Sequence, residues 1–223
     1  MEIAFWQERW HRAETGFHQQ HINPYLAYYY GEMGPPMEKR SSLRVFVPLC
    51  GKSRDLWWLH HSGYKSLGVE CSEVAVEQFF SEQQLNYSKQ DTSKHISYKT
   101  ENLEILLGDF FTLQADDVGE ITDIYDRASL IALPLEMRRK YVEKITQLQR
   151  PGTRTLLITL TYPDNQMDGP PFSVSEEEVR ELYSKNFRID KLAAKNVLED
   201  EPRFKARGLT VLTETAYKLT KNR

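Results

Sequence analysis

The stretch from Leu43 to Glu70 limits this chain more than any other. The apolar run Val45-Phe46-Val47-Pro48-Leu49 stops on Cys50-Gly51, and a second run, Leu67-Gly68-Val69, ends on the acid Glu70, twenty residues after Cys50. The pattern reads as strand, tight glycine turn, helix, strand, which opens an α/β sheet with parallel strands. At that separation a carboxylate on the tip of the second strand reaches the ribose of a nucleotide lying over the first turn. A carboxylate suits this role because it only accepts hydrogen bonds and can take both ribose hydroxyls. Arg127, after a later strand over 121–126, adds a further candidate site residue in the same sheet.

Two lookalikes fail. Gly51-Lys52-Ser53 resembles the end of a phosphate-binding loop, but that loop needs a glycine at position 46, which is Phe. The dinucleotide fingerprint needs three glycines, yet only Gly51 is present and Ser53 stands where the second would be. A nucleoside without phosphates fits better, and S-adenosylmethionine is the common ligand of that kind. A structural turn with a chance acid beside it is the competing reading of the same spacing.

The βα alternation continues along the chain. Residues 1–40 read as a mostly helical extension rich in aromatics. Strands are expected at about 43–49, 65–70, 103–108, 121–126 and 154–161, with helices over about 53–62, 73–84 and from Pro134 to Gln149. Ser72 is placed to N-cap the helix at 73, and Ser175 with Glu178 spells a capping box for a helix over about 176–185. Residues 86–102 are polar and read as a surface excursion. Two late strands, about 187–194 and 209–219, are expected to pair antiparallel at the edge. The expectation is one α/β domain over 1–223, with a mostly parallel seven-stranded sheet, an antiparallel edge hairpin and helices on both faces. Ligands of such sheets lie over the carboxyl ends of the strands, where Leu49-Cys50-Gly51, Glu70, Asp109-Phe110 and Asp126-Arg127 converge.

Composition excludes several classes. The net charge is −3, so no footprint for nucleic acid or an anionic membrane is present. No run of about 18 apolar residues occurs, so no membrane-spanning segment is expected. The only cysteines, Cys50 and Cys71, follow predicted neighbouring strands and read as reduced structural thiols of a cytoplasmic protein. His11, His18 and His21 are close in sequence, but no cysteine or acid cluster completes a tetrahedral set, and no metal is expected.

The motifs Trp6-x-x-x-Trp10, Gly16-Phe17-His18-Gln19, Val47-Pro48-Leu49-Cys50-Gly51-Lys52-Ser53-x-Asp55, Gly68-Val69-Glu70-x-Ser72, Gly108-Asp109-Phe110-Phe111, Tyr125-Asp126-Arg127-Ala128 and Gly169-Pro170-Pro171-Phe172 run in order through the chain. Together they resemble the bacterial thiopurine S-methyltransferases. The resemblance implies a Rossmann-like class I methyltransferase fold and S-adenosylmethionine as cofactor, with S-adenosylhomocysteine as product. It also implies that Trp10, Leu49, Glu70 and Arg127 contact the cofactor. Gly51, Asp109 and Phe110 join them as strand-end candidates, and Phe17, Arg127 and Arg203 are the substrate-side candidates. Arg207 competes with Arg203, because the match in Arg203-Phe204-Lys205-Ala206-Arg207 is loose.

The reading is therefore S-methylation of aromatic and heterocyclic thiols, by positioning and exclusion of water rather than by a dedicated base. The expected partner is a small-molecule thiol, and the chain is expected to act as a monomer. The N-terminal segment, with Phe5, Trp6, Trp10 and Phe17, is expected to close over the cofactor as a lid. The alternatives are a methyltransferase for selenium or tellurium species, a non-catalytic nucleoside-binding module, and a nicotinamide oxidoreductase, against which the missing glycines argue.

Overall fold

The computed structural model describes residues 3–16, 18–92 and 94–223. The chain forms two compact units, Met1–Ile124 and Tyr125–Arg223.

The first unit begins with helix α1 (Ile3–His11), the short α2 (Pro24–Leu26), a π-helical stretch Ala27–Glu32 and α3 (Met37–Arg40). The core pattern follows as β1 (Arg44–Val47), α4 (Arg54–His61), β2 (Lys65–Glu70) and α5 (Glu73–Glu82). The unit is completed by β3 (Ser88–Asp91), β4 (Ile96–Lys99), β5 (Leu103–Leu107), α6 (Ala115–Val118) and the start of β6 (Asp123–Arg127). β2 lies between β1 and β5, parallel to both, with Val47 opposite Gly68 and Glu70 opposite Leu107. β6 runs parallel to β1 on its other side. The apolar runs seen in the sequence become these strands, and Val45, Phe46, Leu67, Val69 and Ile105 are fully buried. Such central parallel strands are covered on both faces, which is why they read as continuous apolar stretches.

The helix start predicted at Ser72 forms: Ser72 caps α5 by accepting from the Ala75 N–H. Ser53, a cap that the sequence reading does not single out, closes the start of α4 in the same way by accepting from the Asp55 N–H. The excursion expected over 86–102 is instead the hairpin β3–β4, which extends the sheet antiparallel to β5. The described residues thus hold nine strands rather than seven. The hairpin escaped the sequence reading because all four β3 residues are exposed and polar, leaving no alternation to read.

The second unit carries α7 (Leu135–Leu148), β7 (Arg154–Thr161), α8 (Glu176–Tyr183), β8 (Phe187–Asn196), α9 (Pro202–Ala206) and β9 (Thr213–Lys221). β9 pairs antiparallel with β7 on one side and β8 on the other, which is the expected antiparallel edge. Leu198, Phe204, Leu209 and Leu212 form a small core with Tyr162, below a 3-10 turn and α9 that the sequence reading left out. The Ser175–Glu178 capping box forms only in half. Ser175 accepts from the Glu178 N–H at 3.1 Å, but the Glu178 carboxylate turns to Arg138 at 2.6 and 2.7 Å. Arg138 is 4% exposed, and a buried guanidinium demands a paired acid more strongly than a helix end does.

Candidate active site

Three loops leave the carboxyl ends of neighbouring parallel strands in the first unit. They follow β1 at Pro48–Gly51, β2 at Cys71–Ser72 and β5 at Gly108–Phe110. Glu70, 5% exposed, ties two of them together. Its Oε2 accepts the Gly51 N–H, and its Oε1 accepts the N–H groups of Cys71 and Ser72, each at 2.8 Å. The Cys71 thiol donates to the same carboxyl. Burial pushes Glu70 above the ordinary carboxylate range, and these donors oppose that push.

The turn after β1 is left-handed at Leu49 (φ 45°) and Gly51 (φ 53°). Glycine is required at 51 for two reasons. Its φ penalises a side chain, and a Cβ there would stand 3.0 Å from the Trp10 indole. Trp10, on α1, is buried and closes over this turn, while Gln7 of the same helix donates to the Cys71 carbonyl at 3.1 Å. Trp10, Ala13, Thr15, Lys52, Glu77 and Glu82 border a cleft of about 570 Å³ in this unit. Asp109 caps the next turn by accepting from the Phe111 N–H at 2.8 Å, and the Phe110 ring is buried beneath it.

The sequence reading named the residues of this end but missed why Gly68 belongs to it. A Cβ at 68 would lie 2.6 Å from the Cys50 sulfur, so the glycine is the space that the Cys50 side chain occupies. Cys50 and Cys71 are free thiols, and burial first, with the Glu70 charge second, pushes both upward and keeps them protonated.

The structure therefore brings Trp10, Leu49, Gly51, Glu70, Asp109 and Phe110 to one end of the first unit. Arg127 ends β6 and belongs to the second unit, as does Arg203. Arg203 pairs with Glu201 at 3.0 Å and lies 4.7 Å over the Phe204 ring. Arg207 is exposed and has no ion pair among the described residues. Phe17 lies outside the described residues.

The fold is shared with solved S-adenosylmethionine-dependent methyltransferases. One from Anabaena variabilis matches 99% of this chain and 95% of its own length at a TM-score of 0.66 and 12% identity. The Burkholderia thailandensis 1,6-didemethyltoxoflavin-N1-methyltransferase, solved with bound 1,6-didemethyltoxoflavin and S-adenosylhomocysteine, matches 99% of this chain and 87% of its own length at a TM-score of 0.64 and 15% identity. The fold is that of class I methyltransferases, and the family match makes the chain one that uses S-adenosylmethionine as cofactor. More narrowly, the chain belongs to the thiopurine S-methyltransferase family, whose model matches residues 1–222. It is 43% identical over 219 residues to the thiopurine S-methyltransferase of Shewanella baltica (strain OS155 / ATCC BAA-1091), covering 98% of this chain and 99% of that one. It is equally identical over the same length to that of Nitrosospira multiformis, covering 98% of each.

Proposed function

We propose that this chain transfers a methyl group from S-adenosylmethionine to the sulfur of an aromatic or heterocyclic thiol, thiopurines included. The observation that carries this reading is the family match over residues 1–222. The same match supports treating 1–223 as a single S-adenosylmethionine-dependent methyltransferase domain.

The residues present fit the cofactor. An acceptor-only carboxylate stands at the tip of β2, and a side-chain-free turn at Gly51 lies under the Trp10 indole. Glu70, Leu49, Gly51, Asp109 and Phe110 would hold the nucleoside, with Trp10 above and Arg127 as a further contact. When bound, the cofactor supplies an electrophilic methyl on a sulfonium. Aromatic faces such as Trp10 favour a cation of that kind. The thiol loses its proton to solvent before attack, since aromatic thiols ionise near neutral pH. With the methyl group supplied by the cofactor and the thiol already ionised, the chain's own task would be alignment and exclusion of water. Substrate contacts fall to Phe17, Arg127 and Arg203, with Arg207, which has no ion pair among the described residues, as the alternative cation.

Among the described residues no helix is long and apolar enough to cross a membrane. The two free thiols support a reducing, cytoplasmic setting, and we read the chain as a monomer. Calorimetric titration with S-adenosylhomocysteine, followed by a panel of thiols, catechols and amines, tests the reading. Saturable binding with methylation confined to thiols is expected, and absence of binding would overturn it.

A further inference from the structure

Two motifs of the second unit, Tyr125–Ala128 and Gly169–Phe172, are joined by a chain of hydrogen bonds that starts at Asp126. Asp126 is 1% exposed. Its Oδ2 accepts from the Tyr141 hydroxyl at 2.7 Å, and its Oδ1 from the Leu130 N–H at 3.3 Å. The N–H and hydroxyl of Ser129 donate to the same carboxyl. A carboxylate has about four acceptor positions, and these four donors fill them.

Three of the donors come from Ser129 and Leu130, just past Ala128, where the chain leaves β6 in the left-handed region at φ 72°. The carboxylate thus closes the turn that carries Arg127. That turn leads into the 3-10 helix Leu130–Ala132, whose Ile131 carbonyl accepts the Phe172 N–H at 2.7 Å. The Pro171 carbonyl accepts from the Tyr162 hydroxyl at 2.6 Å, and the Phe172 ring faces the Arg138 guanidinium at 5.6 Å. Arg138 is itself fixed by Glu178 and by the Leu133 carbonyl.

We propose that Asp126 is a positioning residue that holds Arg127 and the Gly169–Phe172 loop in one framework, so that cofactor and thiol binding depend on a buried carboxylate that lies outside the binding surface. The ligand part of this inference rests on the methyltransferase reading above. Tyr141 of α7 and Tyr183 of α8 are the titratable groups that face Asp126 from the packed helices, and Arg127 is its charged neighbour on the strand.

The test uses the full chain with Asp126→Asn and Tyr141→Phe. Asp126→Asn sets an amide N–H₂ against donors, whereas Tyr141→Phe removes only one of the four. The Kd for S-adenosylhomocysteine and the KM for the thiol should rise together by about fivefold or more in Asp126→Asn, because misplacement alone is costly. The Phe172 amide should exchange faster in both variants, with Tyr141→Phe the milder. A lower melting temperature with wild-type Kd, KM and Phe172 exchange would reduce Asp126 to a plain stability role and overturn the proposal. If Asp126→Asn does not fold, Tyr141→Phe decides by the same three readouts. Failure of the wild-type chain to bind S-adenosylhomocysteine removes the functional reading instead, and unchanged Phe172 exchange in the variants still overturns the framework.

Discussion

Glu70 Oε2 accepts the Gly51 N–H at 2.8 Å, so the acid at the tip of β2 holds in place the turn that follows β1. A residue expected only to meet the ribose also sets the shape of the loop beneath it. In the proposed cofactor site a bound ribose would share or displace a donor that Glu70 already has.

Glu70→Ala should therefore fail twice. Loss of a charge-assisted contact of roughly 1.5–3 kcal/mol weakens S-adenosylhomocysteine binding by about one to two orders of magnitude. The orphaned N–H groups of Gly51, Cys71 and Ser72 should also lower the midpoint of urea unfolding. Wild-type affinity in the folded variant would remove Glu70 from the cofactor site.

Gly68→Ala tests the packing beneath the site. A Cβ 2.6 Å from the Cys50 sulfur forces that side chain to move, with an expected cost of about 1–3 kcal/mol. Adding Cys50→Ala should recover more than half of the loss. A double variant no more stable than Gly68→Ala would show that the Leu56 side chain, 3.1 Å away, and not the sulfur, resists the methyl group.

How much of this was legible in the sequence follows from which forces act locally. The parallel strands announced themselves because both of their faces are buried, and the caps at Ser72 and Ser175 needed only the neighbouring residues. The hairpin over 88–99 was hidden, because backbone pairing with β4 and not side-chain burial makes Ser88–Asp91 a strand. At the site, residue identities were readable but their partners were not. Glu70 spans 19 positions to reach Gly51, and Asp126 spans 15 to reach Tyr141, so these bonds exist only once the fold has closed. The conflict that draws Glu178 from its capping box to the buried Arg138, 40 positions away, is invisible for the same reason.

The N-terminal helix should behave as part of the site. Trp10 is buried against the Gly51 turn, and Gln7 reaches the Cys71 carbonyl. Deleting residues 1–20 should leave the sheet folded but abolish turnover, and α1 amides should gain exchange protection when S-adenosylhomocysteine binds. Equal protection with and without ligand would contradict a lid.

Asp126 gives a pH signature of definite sign. Burial raises its carboxyl from 3.8 to about 6, so the folded chain binds this proton more readily than the unfolded chain. Its contribution to stability is complete below about pH 4 and is lost as pH rises through about 6, to an extent of about 3 kcal/mol. Asp126→Asn does not titrate, so wild-type stability should fall relative to the variant across that window in urea unfolding. A wild-type gain over the variant in the same interval would contradict the assignment.

Arg127→Lys should lose more than half of the activity, because a point charge cannot reproduce a planar fork at an anionic ligand. Full activity in the lysine variant would assign the arginine to structure alone.

The most direct test of the central claim is a competition assay on the purified wild-type chain. S-adenosylmethionine is supplied with 6-mercaptopurine or thiophenol beside catechol and an amine, and methylated products are quantified against S-adenosylhomocysteine. The account predicts one S-methylated thiol per S-adenosylhomocysteine, with catechol and amine unchanged. Catechol or amine methylation exceeding thiol methylation would contradict it.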